Sequence, residues 1–75
     1  MLSRTKFGEI IGNNIKKART AKGLTQDELA HKCSFYRTYI NLLETNKRIP
    51  SSYNLHRISK ALCVAISEIY PSDHE

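Results

Sequence analysis

The sequence predicts an all-α protein that forms one compact domain over residues 1–75. Apolar residues recur at spacings of three and four in several segments, which is typical of helices that bury one face. Capping and turn residues separate these segments at short intervals. We expect five helices, over about 5–22, 26–32, 36–45, 52–62 and 66–70, and no strand.

Size and composition limit the function classes. Seventy-five residues allow one small core, and 40% hydrophobic with 25% charged residues is ordinary globular composition. No apolar run approaches membrane-spanning length, and no secretory signal is present, so we expect a cytoplasmic protein with no membrane partner.

The formal charge of +5 is concentrated near the start of the chain. Before Gly23 a single acidic residue, Glu9, accompanies six basic ones: Arg4, Lys6, Lys16, Lys17, Arg19 and Lys22. A basic surface on a small domain favours a polyanion partner, most often nucleic acid. A lysine-rich solvated face explains the charge equally well.

The first two helices have clear boundaries. Gly23 supplies a left-handed residue that ends the first helix. Thr25 is placed to cap the second helix and Glu28 to complete a capping box, while Leu24 and Leu29 occupy the positions of a hydrophobic staple.

The third helix, 36–45, has two distinct faces. One face packs and carries Tyr36, Ile40 and Leu43; the other carries Arg37, Thr38, Asn41, Leu42 and Thr45. The second face offers a guanidinium, a hydroxyl, an amide and an isobutyl group in an arc that suits a groove. Taken alone, such an arc is more often plain solvent-exposed surface.

The last two helices follow a basic loop that contains Lys47 and Arg48. Pro50 disfavours helix before it, and Ser51 is a suitable N-cap for the fourth helix. The short fifth helix ends at Pro71 and is followed by an acidic tail.

Two short helices joined by a tight turn, the second polar on one side, form the pattern of the helix-turn-helix. The runs GLTQDELA from Gly23, RTYINLLE from Arg37 and RIPSSYNLHRISKAL from Arg48 resemble the Xre/Cro family of helix-turn-helix regulators. RTYI followed by Glu44 most resembles the controller proteins of restriction–modification systems. The resemblance implies a five-helix, lambda-repressor-like domain that binds double-stranded operator DNA as a homodimer on inverted half-sites. RNA polymerase is a further candidate partner.

The resemblance assigns base contacts to Arg37, Thr38 and Asn41. Their chemistry agrees, because arginine pairs with guanine, threonine contacts thymine and asparagine pairs with adenine. Leu42 stands where relatives often carry a polar side chain, so it either contacts a thymine methyl or is a protein-facing or exposed residue. We expect Tyr36 and Leu42 to set the preference of this protein among its relatives.

The resemblance places Gln26 and Tyr39 against phosphates and Arg48 against the DNA backbone or minor groove. Lys47 and Arg48 neutralise phosphates, which adds salt-dependent affinity with little sequence information. Arg19 and Glu44 match a structural ion pair between the first and third helices. Arg19 facing a phosphate is the alternative.

Four residues depart from the family pattern. Tyr36 cannot cap the third helix, so capping is expected to shift to Ser34, where a left-handed conformation is strained. Cys63 replaces the usual glycine and Ala65 the usual N-cap serine, so we expect a weak last helix, ordered mainly by pairing. The resemblance gives it the dimer interface, through Ile66, Ile69 and Tyr70; a core lid is the alternative.

Catalysis and metal binding find no support in the sequence. Cys33 and Cys63 form no CxxC motif, and three histidines, His31, His56 and His74, complete no zinc spacing. We therefore expect no enzyme activity, no cofactor and no metal. Two other hypotheses remain: a protein-interaction module of antitoxin or anti-repressor type, and a cysteine-based redox or metal sensor.

Overall fold

The computed structural model describes residues 3–71, which form four α-helices and one 3₁₀ turn. The helices are α1 (Arg4–Ala21), α2 (Gln26–Cys33), α3 (Arg37–Glu44) and α4 (Ser52–Leu62). The all-α prediction is confirmed. The expected acidic tail, with Asp73 and Glu75, lies outside the described residues.

The prediction of a fifth α-helix is wrong, because the last element is a 3₁₀ turn over Ile66–Glu68. Ala65 has no side-chain acceptor for the first N–H groups of the turn, and its own N–H donates to Glu68 Oε2 over a long 3.4 Å. The turn is nevertheless anchored within one chain. Ile69 is fully buried, and its carbonyl accepts a 3.0 Å hydrogen bond from Asn14 Nδ2.

The predicted capping box of α2 is confirmed in both directions. The Glu28 N–H donates to Thr25 Oγ1 at 3.0 Å, and the Thr25 N–H donates to Glu28 Oε1 at 2.8 Å. Ser51 accepts from the Asn54 N–H at 3.1 Å and caps α4. Ser3 caps α1 in the same way, so that helix begins at Arg4, one residue earlier than expected.

The start of α3 differs from the expectation. Ser34 takes a left-handed conformation, with φ of 59°, and ends α2, so it does not cap α3. Tyr36 is the N-cap and provides no side-chain hydrogen bond. Its side chain is exposed rather than packed, because it precedes the first helical turn. Helix α3 therefore begins at Arg37 without a side-chain cap.

The core lies where α1 and α2 pack against α3 and where α2 packs against α4. Its fully buried members come from every helix and from the last turn: Ile11, Ile15, Leu29, Ile40, Leu43, Leu55, Ile58, Leu62 and Ile69. Within residues 3–71 no helix is both long and apolar enough to cross a membrane. The core fixes α3 by one face and leaves its other face outside.

Two glycines let α1 approach the end of α3 closely. A Cβ atom at Gly12 would lie 2.3 Å from the Leu43 carbonyl oxygen and 2.9 Å from Asn46 Oδ1. A Cβ atom at Gly8 would lie 3.2 Å from Cγ1 of Ile49. Because the first of these neighbours is backbone, Gly12 determines the distance between α1 and α3.

We expect Gly12→Ala to lower the free energy of unfolding by about 1–3 kcal/mol, because α3 must shift to admit the methyl group. Alanine is the better helix former by about 1 kcal/mol, so propensity alone predicts the opposite sign. Urea unfolding followed by circular dichroism measures the change. Gly8→Ala is the matched control: the Ile49 side chain can rotate, so its effect stays within about 1 kcal/mol. A Gly12→Ala midpoint at or above that of the wild type contradicts this account.

Candidate nucleic-acid interface

The outer face of α3 carries three polar side chains that have no hydrogen-bond or ion-pair partner among residues 3–71. Arg37, Thr38 and Asn41 are exposed and together line a shallow depression. Among residues 3–71, no hydrogen bond or ion pair engages the side chain of any of the three. The structure thus brings together three of the five residues expected to contact bases, the three that the resemblance assigns, and their side chains have no partner within residues 3–71.

The residues beside these three differ in exposure and in hydrogen bonding. The Thr45 hydroxyl donates to the Asn41 carbonyl oxygen at 2.7 Å, so it faces its own helix. Leu42 is half-buried, which leaves part of its side chain accessible beside Asn41. Tyr36 is 85% exposed and adjoins Arg37 at the start of the helix.

A buried ion pair holds the inner face of α3 against α1. Arg19 Nε lies 2.7 Å from Glu44 Oε2 and Arg19 Nη2 lies 3.0 Å from Glu44 Oε1, so the pair is bidentate. Arg19 Nη1 also donates to the Leu24 carbonyl oxygen at 2.7 Å. Both charged residues are less than a tenth exposed. This is the geometry of a structural ion pair, and it uses three of the five donors of Arg19.

Gln26 joins this pair and stands at the first position of α2. Its Nε2 donates to Glu44 Oε1 at 3.0 Å, so the carboxylate accepts three hydrogen bonds. A glutamine amide has a second N–H, which remains available to an outside acceptor such as a phosphate. The network therefore orients Gln26 as well as α3.

A second group of contacts joins α4 to the end of α2, the turn that follows it and α3. Asn54 Nδ2 donates to the Tyr39 hydroxyl oxygen at 3.0 Å, which leaves the tyrosine O–H free to donate outward. The Arg57 guanidinium lies 4.6 Å from the centre of the Phe35 ring and donates to the Cys33 carbonyl oxygen. Phe35 in turn packs edge-on against Tyr39, with ring centres 5.0 Å apart.

The sequence alone did not identify the contributions of Asn54, Arg57 and Phe35. Asn54 and Arg57 are three residues apart on α4, so they lie on one face of the helix, which was the available signal. Their hydrogen-bond partners are Tyr39 in α3 and Cys33 at the end of α2, 15 and 24 residues away in the chain. Nothing in the local sequence identifies those partners.

Two of the residues assigned to the DNA backbone lie in the loop after α3. Lys47 and Arg48 are both exposed, and Asn46 turns the chain with φ of 66°. The Lys47 N–H donates to the Leu42 carbonyl oxygen at 2.8 Å, which fixes the loop at the end of the helix. The two cations therefore stand at the end of α3 opposite to Arg37.

The residues expected at a dimer interface have unequal exposure. Ile69 is a core residue and presents no surface to a partner. Ile66 is half-buried, and Tyr70 is 49% exposed with its ring edge-on to Phe7 at 5.2 Å. Ile66 and Tyr70 line an apolar depression together with Ser52, Ser67 and Pro71.

The two cysteines are far from equivalent. Cys33 is buried, and burial raises the pKa of its thiol, although the nearby Arg57 charge acts in the opposite direction. Cys63 is exposed and takes a left-handed conformation, with φ of 57°, at the end of α4. Within residues 3–71 no three histidine, cysteine or acidic side chains cluster as metal ligands.

A family model described as "Helix-turn-helix" matches residues 15–69 of the chain, which include the whole motif and the buried ion pair. The chain belongs to the HTH_3 helix-turn-helix family. It is 33% identical over 66 residues to the uncharacterized HTH-type transcriptional regulator y4dJ of Sinorhizobium fredii, covering 87% of this chain and 86% of that protein. It is 38% identical over 60 residues to the control protein C.MunI of a Mycoplasma species, covering 79% of this chain and 81% of that protein.

A solved structure extends the likeness to the fold. The restriction–modification controller protein C.AhdI from Aeromonas hydrophila superposes with a TM-score of 0.81 at 30% identity, over 84% of this chain and 96% of that one. The family assignment confirms the predicted membership, and the predicted resemblance to controller proteins is confirmed by C.MunI and C.AhdI.

Proposed function

We propose that this helix-turn-helix regulator binds an inverted-repeat operator as a homodimer and serves as the controller protein of a restriction–modification system. The proposal rests on the outer face of α3, because it presents a guanidinium, a hydroxyl and an amide that no group within the described part of the chain engages. The chain's likeness to C.MunI and C.AhdI supports the restriction–modification context. Contact with RNA polymerase stays a prediction from the resemblance.

Each group on α3 suits a base edge in the major groove. Arg37 can donate two hydrogen bonds to guanine O6 and N7, and Asn41 can pair with adenine N6 and N7. Thr38, between them on the same face, offers its hydroxyl or its methyl group. Leu42 and Tyr36 flank this arc, so we assign them apolar contacts at its edges, Leu42 with a thymine methyl.

Contacts to the DNA backbone would come from both ends of α3, which is the recognition helix in this proposal. Gln26 and Tyr39 each keep one donor free, and both are held in place by partners inside the protein, Glu44 and Asn54. Lys47 and Arg48 lie beyond the other end of α3. Phosphate contacts of this kind set the register of the helix in the groove.

A homodimer is needed to read two half-sites, and the apolar depression at the last turn is the surface that suits it. Ile66 and Tyr70 are accessible there, whereas Ile69 supports them from the core. To read half-sites in successive major grooves, the α3 helices of the two copies must lie about 34–36 Å apart.

The alternative of a protein-interaction module requires a different surface. An interface for a protein partner is depleted of charge at its centre and enriched in aromatic residues. The central residues of the α3 face are Arg37, Thr38 and Asn41, which are polar. DNA is therefore the better occupant of this face.

A mobility shift against the upstream region of the neighbouring genes, combined with the mass of the protein in solution, tests the proposal. We expect a salt-sensitive, sequence-selective complex of two chains on one duplex. Tyr70→Ser is expected to yield monomers and to weaken operator binding. Equal binding to a scrambled duplex would refute DNA selectivity. A monomeric wild type that binds a single half-site would refute the dimer.

A further inference from the structure

A second cationic surface lies between the start of α1 and the loop that follows α3. This basic cleft has a volume of about 180 Å³ and is lined by Arg4, Thr5, Gly8, Asn46, Lys47, Arg48 and Ile49. Two of its cations, Lys47 and Arg48, belong to the loop that follows α3. The third, Arg4, comes from a different helix and has no role in the function proposed above.

The cleft exists because α1 approaches the loop through its glycines. Gly8 is in near contact with Ile49, and Gly12 with Leu43 and Asn46. Arg4 precedes Gly8 by four residues, so it lies one turn further along the same face of α1. The side chain is thus held beside the loop by the packing of the helix that carries it.

Among residues 3–71, the charges of the basic cleft have no carboxylate beside them. Arg4, Lys47 and Arg48 are all exposed, and no carboxylate is among the lining residues. The closest acidic residue in the sequence, Glu9, is paired with Lys6 at 3.6 Å, and Glu44 is buried with Arg19. Three like charges that line one cleft repel one another, and none has an ion-pair partner among residues 3–71, so an anion in the cleft relieves that repulsion.

We propose that the basic cleft receives one backbone phosphate of DNA and that Arg4 is a ligand of that phosphate together with Lys47 and Arg48. The inference rests on the proposed function, because it uses the same docking of α3. Helix α3 has 8 residues and is about 12 Å long, with Gln26 and Tyr39 near its beginning and the basic cleft at its end. A phosphate held at each end would fix the tilt of the helix in the groove.

The test couples one side chain to one phosphate. Arg4→Gln is compared with the wild type on operator duplexes in which each phosphate in turn is replaced by a neutral methylphosphonate. At one phosphate per half-site, the replacement is expected to weaken wild-type binding roughly fivefold and to change Arg4→Gln binding much less. The dependence of log K on log salt should flatten by about 0.9 for each subunit.

Control variants distinguish a failure of this inference from a failure of the proposed function. Lys17→Gln removes the same charge from a part of α1 that lines another surface, beside Cys63 and Glu68, and should leave the salt slope unchanged. If Arg4→Gln matches the wild type at every phosphate while Arg37→Ala still loses selectivity, the cleft is not a phosphate site and the proposed function stands. If the wild type itself shows no selective binding, both fail. Unchanged thermal unfolding of Arg4→Gln excludes misfolding as the cause of a loss.

Discussion

Replacement of Glu44 by alanine is expected to destabilise the domain by about 3–5 kcal/mol, because it leaves the Arg19 guanidinium buried without its counter-charge. The carboxylate accepts three hydrogen bonds, two from Arg19 and one from Gln26, and all three are lost together. A chain of 75 residues has a total stability of about 4–11 kcal/mol. We therefore expect Glu44→Ala to lose a large share of the total, which urea unfolding at 25 °C measures as a lower midpoint.

The protein offers its own control for this prediction in the pair of Lys6 and Glu9. That pair is separated by 3.6 Å, and its side chains are 61% and 44% exposed, so Glu9→Ala should cost less than about 1 kcal/mol. The double replacement Arg19→Met, Glu44→Leu should recover much of the loss, since no charge is then stranded. Equal effects of Glu9→Ala and Glu44→Ala would contradict the structural role assigned to the buried pair.

Replacement of Arg37 by alanine should remove most of the sequence selectivity and leave the fold intact. A bidentate arginine–guanine contact discriminates by about 1–3 kcal/mol, and the proposed homodimer would lose two of them, so selectivity should fall by about 2–6 kcal/mol. Arg37 is exposed and has no hydrogen bond or ion pair among the described residues, so stability should hardly change. The measured quantity is the ratio of Kd values for operator and scrambled duplex at one salt concentration.

Lys47→Ala is the matched variant for Arg37→Ala, because it removes an exposed cation at the other end of α3. It should weaken binding to both duplexes by similar factors and preserve their ratio. If Arg37→Ala keeps the ratio of Kd values for operator and scrambled duplex, or if Lys47→Ala loses it, the residues of α3 that contact bases have been assigned wrongly.

Local signals in the sequence were sufficient for most helix boundaries. Thr25 with Glu28, Ser51, and Gly23 act on groups within a few residues, so their effect could be predicted from spacing. The last element was mispredicted because apolar spacing suits both a short α-helix and a 3₁₀ turn. Its outcome depends on the missing cap at Ala65 and on a tertiary bond from Asn14.

The candidate site shows the same division between local and tertiary information. Arg37, Thr38 and Asn41 could be placed on one face from helical periodicity alone. Of the polar contacts that hold α3 in place, only the pairing of Arg19 with Glu44 was predicted, and it came from the family resemblance. The contacts of Asn54 with Tyr39 and of Arg57 with Phe35 depend on how α4 packs. Tyr36 was assigned to the packed side because periodicity takes no account of its place before the first turn.

The most direct test of the central claim, that the outer face of α3 reads DNA in a dimer, is selection of bound duplexes from a random pool by the wild type and by Arg37→Ala. The wild type should enrich an inverted repeat with half-site centres about 10–10.5 base pairs apart. The motif enriched by the variant should no longer specify one guanine–cytosine pair, at the same position in both half-sites, and should keep its other preferences. Enrichment of no motif by the wild type, or of an identical motif by both proteins, would contradict the account.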